Sequence, residues 1–162
     1  MDKSVSKTVK ESQIIMRELV LPNDTNMLQN LLGGRLMHLM DIACAMAAAK
    51  HSNRVPVTAA VDNLIFHIPI QLGNIIVLKA SVNRAFNTSM EVGVRVEAED
   101  FETGEIKHAN SAYFTFVALD RKTGDKVKVP SIVPETAEEK RRYEQALIRR
   151  KQRLELEHGI IK

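Results

Sequence analysis

The sequence predicts an α+β fold in which an antiparallel sheet wraps around one buried helix. Residues 35–50 (RLMHLMDIACAMAAAK) form a run of strong helix formers that is apolar almost all round, which is typical of a helix buried on most of its faces. Four strand-like runs joined by short turns follow it, and such neighbours pair antiparallel. The length of 162 residues fits one domain.

The strands are predicted from residue type and alternation. Residues 12–21 (SQIIMRELVL) are rich in strand formers and stop at Pro22, and a loop with turn formers at both ends covers residues 23–34. Met90, Val92, Val94 and Val96 alternate with polar residues, which predicts one buried and one polar face. The four later strands are predicted at residues 54–70, 74–86, 89–100 and 108–120.

The C-terminal segment is predicted to be an amphipathic helix. Thr136 and Glu139 have the spacing of a capping box, just after Pro134. The chain therefore divides into a flexible N-terminus at residues 1–11, a core domain at 12–133 and a helix at 134–162. An open sheet has unpaired edges that need covering, so we expect at least a homodimer.

Composition excludes several classes of protein. Cys44 is the single cysteine, so an internal disulfide is impossible and a cysteine-rich metal site is excluded. No apolar run reaches the ~18 residues of a membrane span, and the polar N-terminal stretch predicts no secretion signal, so a cytoplasmic location is expected. A net charge of +3 with 4% aromatic residues argues against nucleic-acid binding. The histidines are scattered without the spacing of a metal site, and no phosphate-loop, dinucleotide or serine-hydrolase motif is present.

Asp41 is the most informative residue because it is the one acid on the apolar helix. Burying a carboxylate costs several kcal/mol unless it is hydrogen-bonded, so it is either a catalytic group or a structural acid with a bonded partner. His38 lies three residues away and leaves open a His–Asp dyad of the kind that hydratases use. Cys44 and His38 are about 240° apart around the helix, which excludes a Cys–His nucleophile pair.

Polar backbone groups at the start of this helix form a second candidate. Gly33 and Gly34 allow close approach to the backbone, and the first N–H groups of a helix lack intrahelical acceptors. Such groups can stabilise a carbonyl oxygen that gains charge, although a Gly-Gly pair is also common in tight turns. Asn30, three residues earlier, can orient a water or a carbonyl, or only stabilise its own turn.

Together these residues resemble a known family. The segment PNDTN at residues 22–26, followed by Asn30-x-x-Gly33-Gly34-x-Leu36-Met37-x-x-Met40-Asp41, is similar to the signature of the YciA-type and cytosolic brain-type acyl-CoA thioesterases. Further along, the similarity includes VDxxxF at residues 61–66, NTSMEV at 87–92, SAYFTFV at 111–117 and VPET at 133–136. The resemblance covers residues 12–150 in shared order and spacing.

The resemblance implies a hotdog fold, hydrolysis of acyl-CoA to a free fatty acid and CoA, and homodimers assembled as a trimer of dimers. It matches the catalytic aspartate of the family to Asp41 and its catalytic asparagine to Asn30, which act across the dimer interface. Asp41 is then expected to act as general base on water, or as a nucleophile, and the Gly34 N–H to polarise the thioester carbonyl. No metal or cofactor is expected, because CoA belongs to the substrate and product.

Substrate contacts follow as further predictions. Gly33 and Phe66 are expected at the acyl-CoA site, and the pantetheine arm is expected beside Asn87, Thr88 and Ser89. Arg84 or the basic C-terminal helix is expected near phosphate. Two other functions stay open, an enoyl-CoA hydratase or dehydratase that uses the His38–Asp41 dyad, and a non-catalytic acyl-CoA-binding module.

Overall fold

The computed structural model describes residues 5–160, which form seven strands and three helices. A 3-10 turn at Pro22–Asp24 follows the second strand. In chain order the elements are β1 (Ser6–Thr8), α1 (Val9–Ser12), β2 (Ile14–Leu19), α2 (Gly33–Ser52), β3 (Val55–Asp62), β4 (Ile75–Ala85), β5 (Ser89–Glu99), β6 (Ile106–Leu119), β7 (Ser131–Val133) and α3 (Ala137–Ile160).

Five strands form one antiparallel sheet in the order β2-β4-β5-β6-β3. The sheet packs one face on α2, whose inward residues Ala43, Cys44, Ala47 and Ala48 are all fully buried. These small side chains let the strands approach the helix closely. The predicted fold class, a sheet wrapped around a central apolar helix, is confirmed.

The alternation predicted in β5 is also confirmed. Met90, Val92, Val94 and Val96 are at most 3% exposed and face the core with α2. The residues between them project to the other face of the sheet, because side chains alternate along a strand. Glu91, one of these outer-face residues, is nevertheless 1% exposed, so another element of the chain covers the outer face of the sheet.

The cover is α3, which docks on the outer face of the sheet largely through charged and polar groups. Arg149 donates two hydrogen bonds to Glu91, and Arg153 forms an ion pair with Asp62. The predicted capping box starts this helix, since the Glu139 N–H donates to Thr136 Oγ1 at 3.1 Å and Glu139 Oε2 accepts the Thr136 N–H at 3.1 Å. The single apolar side chain of α3 that is fully buried is Ala146, within the residues that the structure describes.

Two segments differ from the sequence predictions. The N-terminus was predicted to be flexible over residues 1–11, but residues 6–12 form a strand paired with β7 and a helical turn. Val9 is 3% exposed there, so its burial holds the segment on the domain; residues 1–4 lie outside the described part. The strand predicted over residues 54–70 ends at Asp62, because the following residues leave the sheet and make no ladder with β6.

One edge of the sheet and one face of α2 expose apolar side chains. Strand β3 pairs with β6 on one side only, and Val55, Val57 and Val61 on it are 37–44% exposed. On α2, Met37, Ile42 and Met46 are 37–40% exposed, with Met37 and Met46 at opposite margins of the uncovered side of the helix. The helix predicted to be buried on most faces therefore has an uncovered apolar strip. Within residues 5–160, no helix has the length and apolar character needed to cross a membrane.

Candidate active site

Asp41 lies near the middle of α2 and is half-buried. Its Oδ1 atom accepts a hydrogen bond from the Thr58 hydroxyl, with 2.5 Å between the oxygens. Thr58 belongs to β3, the strand at the open edge of the sheet. The carboxylate is thus oriented by a neighbouring strand and stands where the domain has an uncovered apolar surface.

The backbone of β3 explains how Thr58 reaches Asp41. The register with β6 shifts between Thr58 and Ala60, so one extra residue is inserted next to Thr58. A bulge of this kind redirects side chains and is frequent beside functional sites. Thr58 pairs with Phe116, which is fully buried, and so faces the helix side of the sheet. No motif in the sequence marked Thr58, because its role depends on a residue 17 positions earlier on another element.

The other titratable groups on this helix do not join the site. His38 is exposed and makes no hydrogen bond to Asp41 among the described residues, which leaves the hydratase dyad without geometric support. Burial, with a contribution from the Asp41 charge, raises the pKa of the Cys44 thiol well above its ordinary value. A neutral, fully buried thiol is a poor nucleophile.

The glycine pair begins α2, as the sequence predicted. The first hydrogen bond of the helix runs from the Leu36 N–H to the Leu32 carbonyl, so the N–H groups of Gly33 and Gly34 lack intrahelical acceptors. A Cβ atom on Gly33 would lie 3.2 Å from the Phe66 ring, whereas one on Gly34 would meet nothing within 4 Å. The structure therefore brings together the predicted residues Gly33 and Phe66 and leaves Gly34 open.

Phe66 belongs to an irregular segment, residues 63–69, that follows β3. A side-chain hydrogen bond from Asn110 Nδ2 to the Ile65 carbonyl, at 2.6 Å, holds this segment. Asn110 lies on β6 and is 2% exposed, so the sheet holds this segment through a buried amide. No sequence signal marks its role as an anchor for the Phe66 segment, because Asn110 lies in the pattern of an ordinary strand.

Two asparagines share one tight turn before α2. The Asn26 N–H donates to the Asn30 carbonyl at 2.9 Å, and Asn26 Oδ1 accepts the N–H groups of Leu28 and Asn30. The predicted residue Asn30 is half-buried and Asn26 is exposed. Both side-chain amides are therefore held near the start of α2 by the same loop.

Gly34 and Asp41 of one chain cannot act on the same reacting group. They lie on nearly the same face of α2 but seven residues apart, which separates them by about 10 Å along the helix axis. A carbonyl bound to the Gly34 N–H is therefore out of reach of a water held by the Asp41 of that chain.

The remaining predicted contacts lie at the turn between β4 and β5. The carbonyls of Asn87 and Thr88 accept the N–H groups of Val129 and Ala118, and the Ser89 hydroxyl accepts a hydrogen bond from Arg150 on α3. Arg84 lies under α3, with its guanidinium 4.0 Å from the centre of the Tyr143 ring. Four of the predicted substrate residues thus cluster at one end of the sheet, away from the Gly33–Phe66 contact.

No group of three or more His, Cys, Asp or Glu side chains suited to a metal ion occurs in residues 5–160. The polar groups described above at and near α2 are a carboxylate, a hydroxyl, two side-chain amides and the backbone N–H groups at the start of the helix.

Comparison with known proteins decides the family. The model of the thioesterase superfamily matches residues 28–105. The Bacillus subtilis protein YkhA, named as an uncharacterized acyl-CoA thioester hydrolase, is 40% identical over 86% of this chain and 80% of its own length. The chain belongs to the acyl-CoA thioester hydrolases of the thioesterase superfamily. The family resemblance drawn from the sequence motifs is confirmed.

Solved structures of this family share the fold of the chain. A hexameric acyl-CoA thioesterase superposes with a TM-score of 0.89 at 38% identity, covering 93% of this chain and 96% of that one. The acyl-CoA hydrolase of Staphylococcus aureus, solved with butyryl-CoA and CoA, has a TM-score of 0.85 at 36% identity, covering 96% of each chain. The hotdog fold is therefore confirmed.

Three further structures of the Staphylococcus aureus enzyme carry single alanine substitutions of an asparagine, an aspartate and a threonine. By their residue numbers, the aspartate lies fifteen residues after the asparagine, and the threonine seventeen residues after the aspartate.

Proposed function

We propose that this chain hydrolyses acyl-CoA to a free acid and CoA, with Asp41 as the general base that activates water. The observation that carries the proposal is the half-buried carboxylate of Asp41 on an apolar helix, oriented by the Thr58 hydroxyl. A thiol leaves with a pKa near ~8.5, so the reaction needs no strong general acid. That no metal or cofactor takes part stays a prediction.

The spacing of the substituted residues in the Staphylococcus aureus relative supports Asp41 and Thr58 as members of the site. Asn26, Asp41 and Thr58 of this chain have the same two intervals, fifteen and seventeen residues. This agreement favours Asn26 as the amide that positions water or the acyl group, whereas the motif resemblance pointed to Asn30. Asn30 stays a prediction, and substitution of each residue separates them.

The two glycines and Asp41 support a site shared between two subunits. Because Gly34 and Asp41 of one chain are about 10 Å apart along the helix, the Gly34 N–H that binds the thioester carbonyl must come from a second copy if Asp41 activates the water. As the carbonyl oxygen gains negative charge, the free N–H at the start of the partner helix donates a hydrogen bond to it. This interaction stabilises the transition state by about 3 kcal/mol.

The open edge of the sheet is where a second copy fits. Val57 and its neighbours on β3 expose apolar surface, and so does Met37, which lies one turn before Asp41 on α2. Pairing of β3 with the β3 of another subunit satisfies the free backbone groups and covers this surface. The hexameric relative supports further assembly as a trimer of dimers. A cytoplasmic location stays a prediction.

The first experiment measures thiol release from acyl-CoA by Asp41→Asn. We expect an intact fold and a loss of turnover of at least about a hundredfold, because the amide cannot take a proton from water. Asp125→Asn, which changes an exposed aspartate in a distant turn, is the matched control. Normal turnover by Asp41→Asn would refute the mechanism, and loss of the double bond of an enoyl-CoA without thiol release would favour a hydratase.

The second experiment tests which amide acts and whether the site is shared. Asn26→Asp keeps the oxygen that accepts the loop N–H groups but removes the amide donors, and Asn30→Ala removes the other amide. Whichever of the two asparagines supplies the catalytic amide, its variant is expected to lose activity while keeping its fold. Mixing that variant with Asp41→Ala under subunit exchange is expected to restore part of the activity, and no recovery in verified heterodimers would count against a shared site.

A third experiment tests the dimer edge. Val57→Asp places a charge in the middle of the proposed β3 pairing, so we expect dissociation to smaller species in size-exclusion chromatography with light scattering. Val5→Asp changes a residue that is 61% exposed in the N-terminal segment and is the matched control. An unchanged molar mass for Val57→Asp would contradict pairing through this edge.

A further inference from the structure

The segment that carries Phe66 leaves the sheet at Asn63. The φ angle of Asn63 is 57°, a left-handed conformation that asparagine tolerates and that turns the chain away from β3. Leu64 then packs against the core, and the Ile65 carbonyl accepts the hydrogen bond from Asn110 Nδ2 at 2.6 Å. Phe66, the next residue, is 51% exposed. The position of its ring therefore depends on how the residues before it are held.

The Asn110 amide that holds this segment is itself half satisfied. Asn110 pairs with the core residue Val96 and so lies on the helix side of the sheet. Its Nδ2 group donates to the Ile65 carbonyl, whereas its buried Oδ1 atom accepts no hydrogen bond from residues 5–160. A buried acceptor without a partner costs at least as much free energy as a neutral hydrogen bond contributes. The amide therefore adds no net stability to the fold, and what it fixes is the position of the segment.

The Phe66 ring lies beside the backbone that binds the thioester carbonyl in the proposed function. A Cβ atom at Gly33 would be 3.2 Å from the ring, and the Cα atom of Gly34 follows about 3.8 Å further along the chain. A Cβ atom at Gly34 would meet nothing within 4 Å, so a carbonyl group has room there while the ring closes the neighbouring side. The ring therefore borders the space for the first carbons of the acyl group.

The other exposed side chains at this end of α2 suit an acyl chain better than the pantetheine arm. Leu32 directly precedes Gly33 and is 43% exposed, and Ile65 flanks Phe66 and is 59% exposed. Apolar side chains bind alkyl groups, whereas the amides of pantetheine need hydrogen-bond partners. We therefore expect the acyl group to lie on this side, with its α-carbon next to the Phe66 ring.

We propose that Asn110 is a positioning residue that makes this site favour straight-chain over α-branched acyl groups, through the Phe66 ring. This inference rests on the proposed function, because it assigns the specificity of the same site. A methyl branch on the α-carbon lies next to the carbonyl and meets the ring while Asn110 holds the Ile65 carbonyl in place. A straight chain carries only hydrogen atoms at that carbon and passes the ring. One methyl group in a closely packed site changes kcat/KM by about tenfold or more.

The test compares acyl-CoA isomers that differ only in branching, butyryl-CoA with isobutyryl-CoA and octanoyl-CoA with 2-methylheptanoyl-CoA. Equal numbers of carbon atoms keep the apolar area nearly constant, so the ratio of the two kcat/KM values reports shape. The unaltered protein is expected to favour the straight isomer by about tenfold or more. Phe66→Ala, which removes a half-exposed ring, and Asn110→Leu, which keeps the shape of the side chain without its hydrogen bond, are each expected to lower this preference by about fivefold or more.

Controls separate a positioning role from a structural one. Phe101 is a matched control for Phe66, because it is also exposed, at 65%, and its ring also lies close to a glycine, 3.4 Å from a Cβ atom at Gly73. Phe101→Ala is expected to keep the full preference. Asn110→Leu is expected to change Tm by less than about 2 °C, because the lost hydrogen bond and the removed unpaired oxygen offset each other. Asn110→Ala, which adds no bulk, is expected to show the same loss of preference.

The double variant Asn110→Leu/Phe66→Ala tests whether Asn110 acts through the ring. It is expected to lose no more preference than Phe66→Ala alone, and a loss equal to the product of the two single losses would overturn action through Phe66. Equal hydrolysis of both isomers by the unaltered protein, or a full preference in both Asn110 variants, would overturn the inference. Absence of thiol release from all of these substrates by the unaltered protein would instead overturn the proposed function.

Discussion

The buried ion pair between Glu91 and Arg149 offers a quantitative test of how α3 is held. The Glu91 side chain is 2% exposed and that of Arg149 is 12% exposed. Glu91 accepts two hydrogen bonds from Arg149, at 3.1 and 2.7 Å, and one from Asn83 at 3.0 Å. The Arg149 guanidinium also stacks on Tyr113, with its carbon 3.5 Å from the ring centre.

The structure predicts unequal costs for removing the two partners. Arg149→Met leaves a buried carboxylate with Asn83 as its remaining partner, so we expect a loss of about 3–4 kcal/mol in the free energy of unfolding. Glu91→Gln leaves the arginine with its stacked ring and an amide acceptor, so we expect a loss of about 1–2 kcal/mol. The double variant Glu91→Gln/Arg149→Met removes both charges and is expected to be more stable than Arg149→Met alone.

Thermal unfolding at one fixed protein concentration measures these costs, because assembly makes Tm concentration-dependent. A domain of this size loses about 2–4 °C of Tm per kcal/mol, so Arg149→Met is expected to fall by about 10 °C. Arg141→Met, an exposed arginine of α3 paired with Glu138, is the control and is expected to change Tm by less than about 2 °C. Equal losses of Tm for Arg149→Met and Arg141→Met would refute the role of the buried ion pair. A loss in the double variant equal to the sum of the two single losses would also refute it.

Three other changes have defined outcomes. Thr58→Val removes the hydrogen bond to the catalytic carboxylate and is expected to lower kcat about tenfold with little effect on KM; an unchanged kcat in a thiol-release assay contradicts that role. Burial lowers the pKa of His51, so the unfolded chain takes up a proton before the folded chain does, and stability is lost as pH falls below about 6.5. His51→Gln should therefore reduce the difference in Tm between pH 7.5 and pH 5.5. If the difference in Tm is undiminished, other groups cause the pH dependence. Gly33→Ala is expected to lower Tm because the added Cβ would contact the Phe66 ring too closely, whereas Gly34→Ala is expected to leave Tm unchanged. Similar values of Tm for both variants would show that the Phe66 segment shifts to accommodate the Cβ at little cost.

Much of the fold could be predicted because its signals are local. The helix of α2, the alternation in β5 and the capping box at Thr136 each depend on residues within a few positions of one another. Richness in Val, Ile and Thr predicts one strand over residues 54–70, but β6 pairs with this strand no further than Asp62. A strand ends where its neighbour stops pairing, and that is a property of the sheet.

The sequence by itself determined the family, the fold class and Asp41 as the one acid on an apolar helix, since periodicity and motif spacing are written along the chain. The tertiary structure alone decided that Thr58 orients this carboxylate, that Asn110 anchors the Phe66 segment and that Arg150 of α3 donates to Ser89. Each of these contacts joins residues on different elements, 17 to 61 positions apart. Their meeting depends on strand register and on helix docking, which follow from the packing of the whole domain.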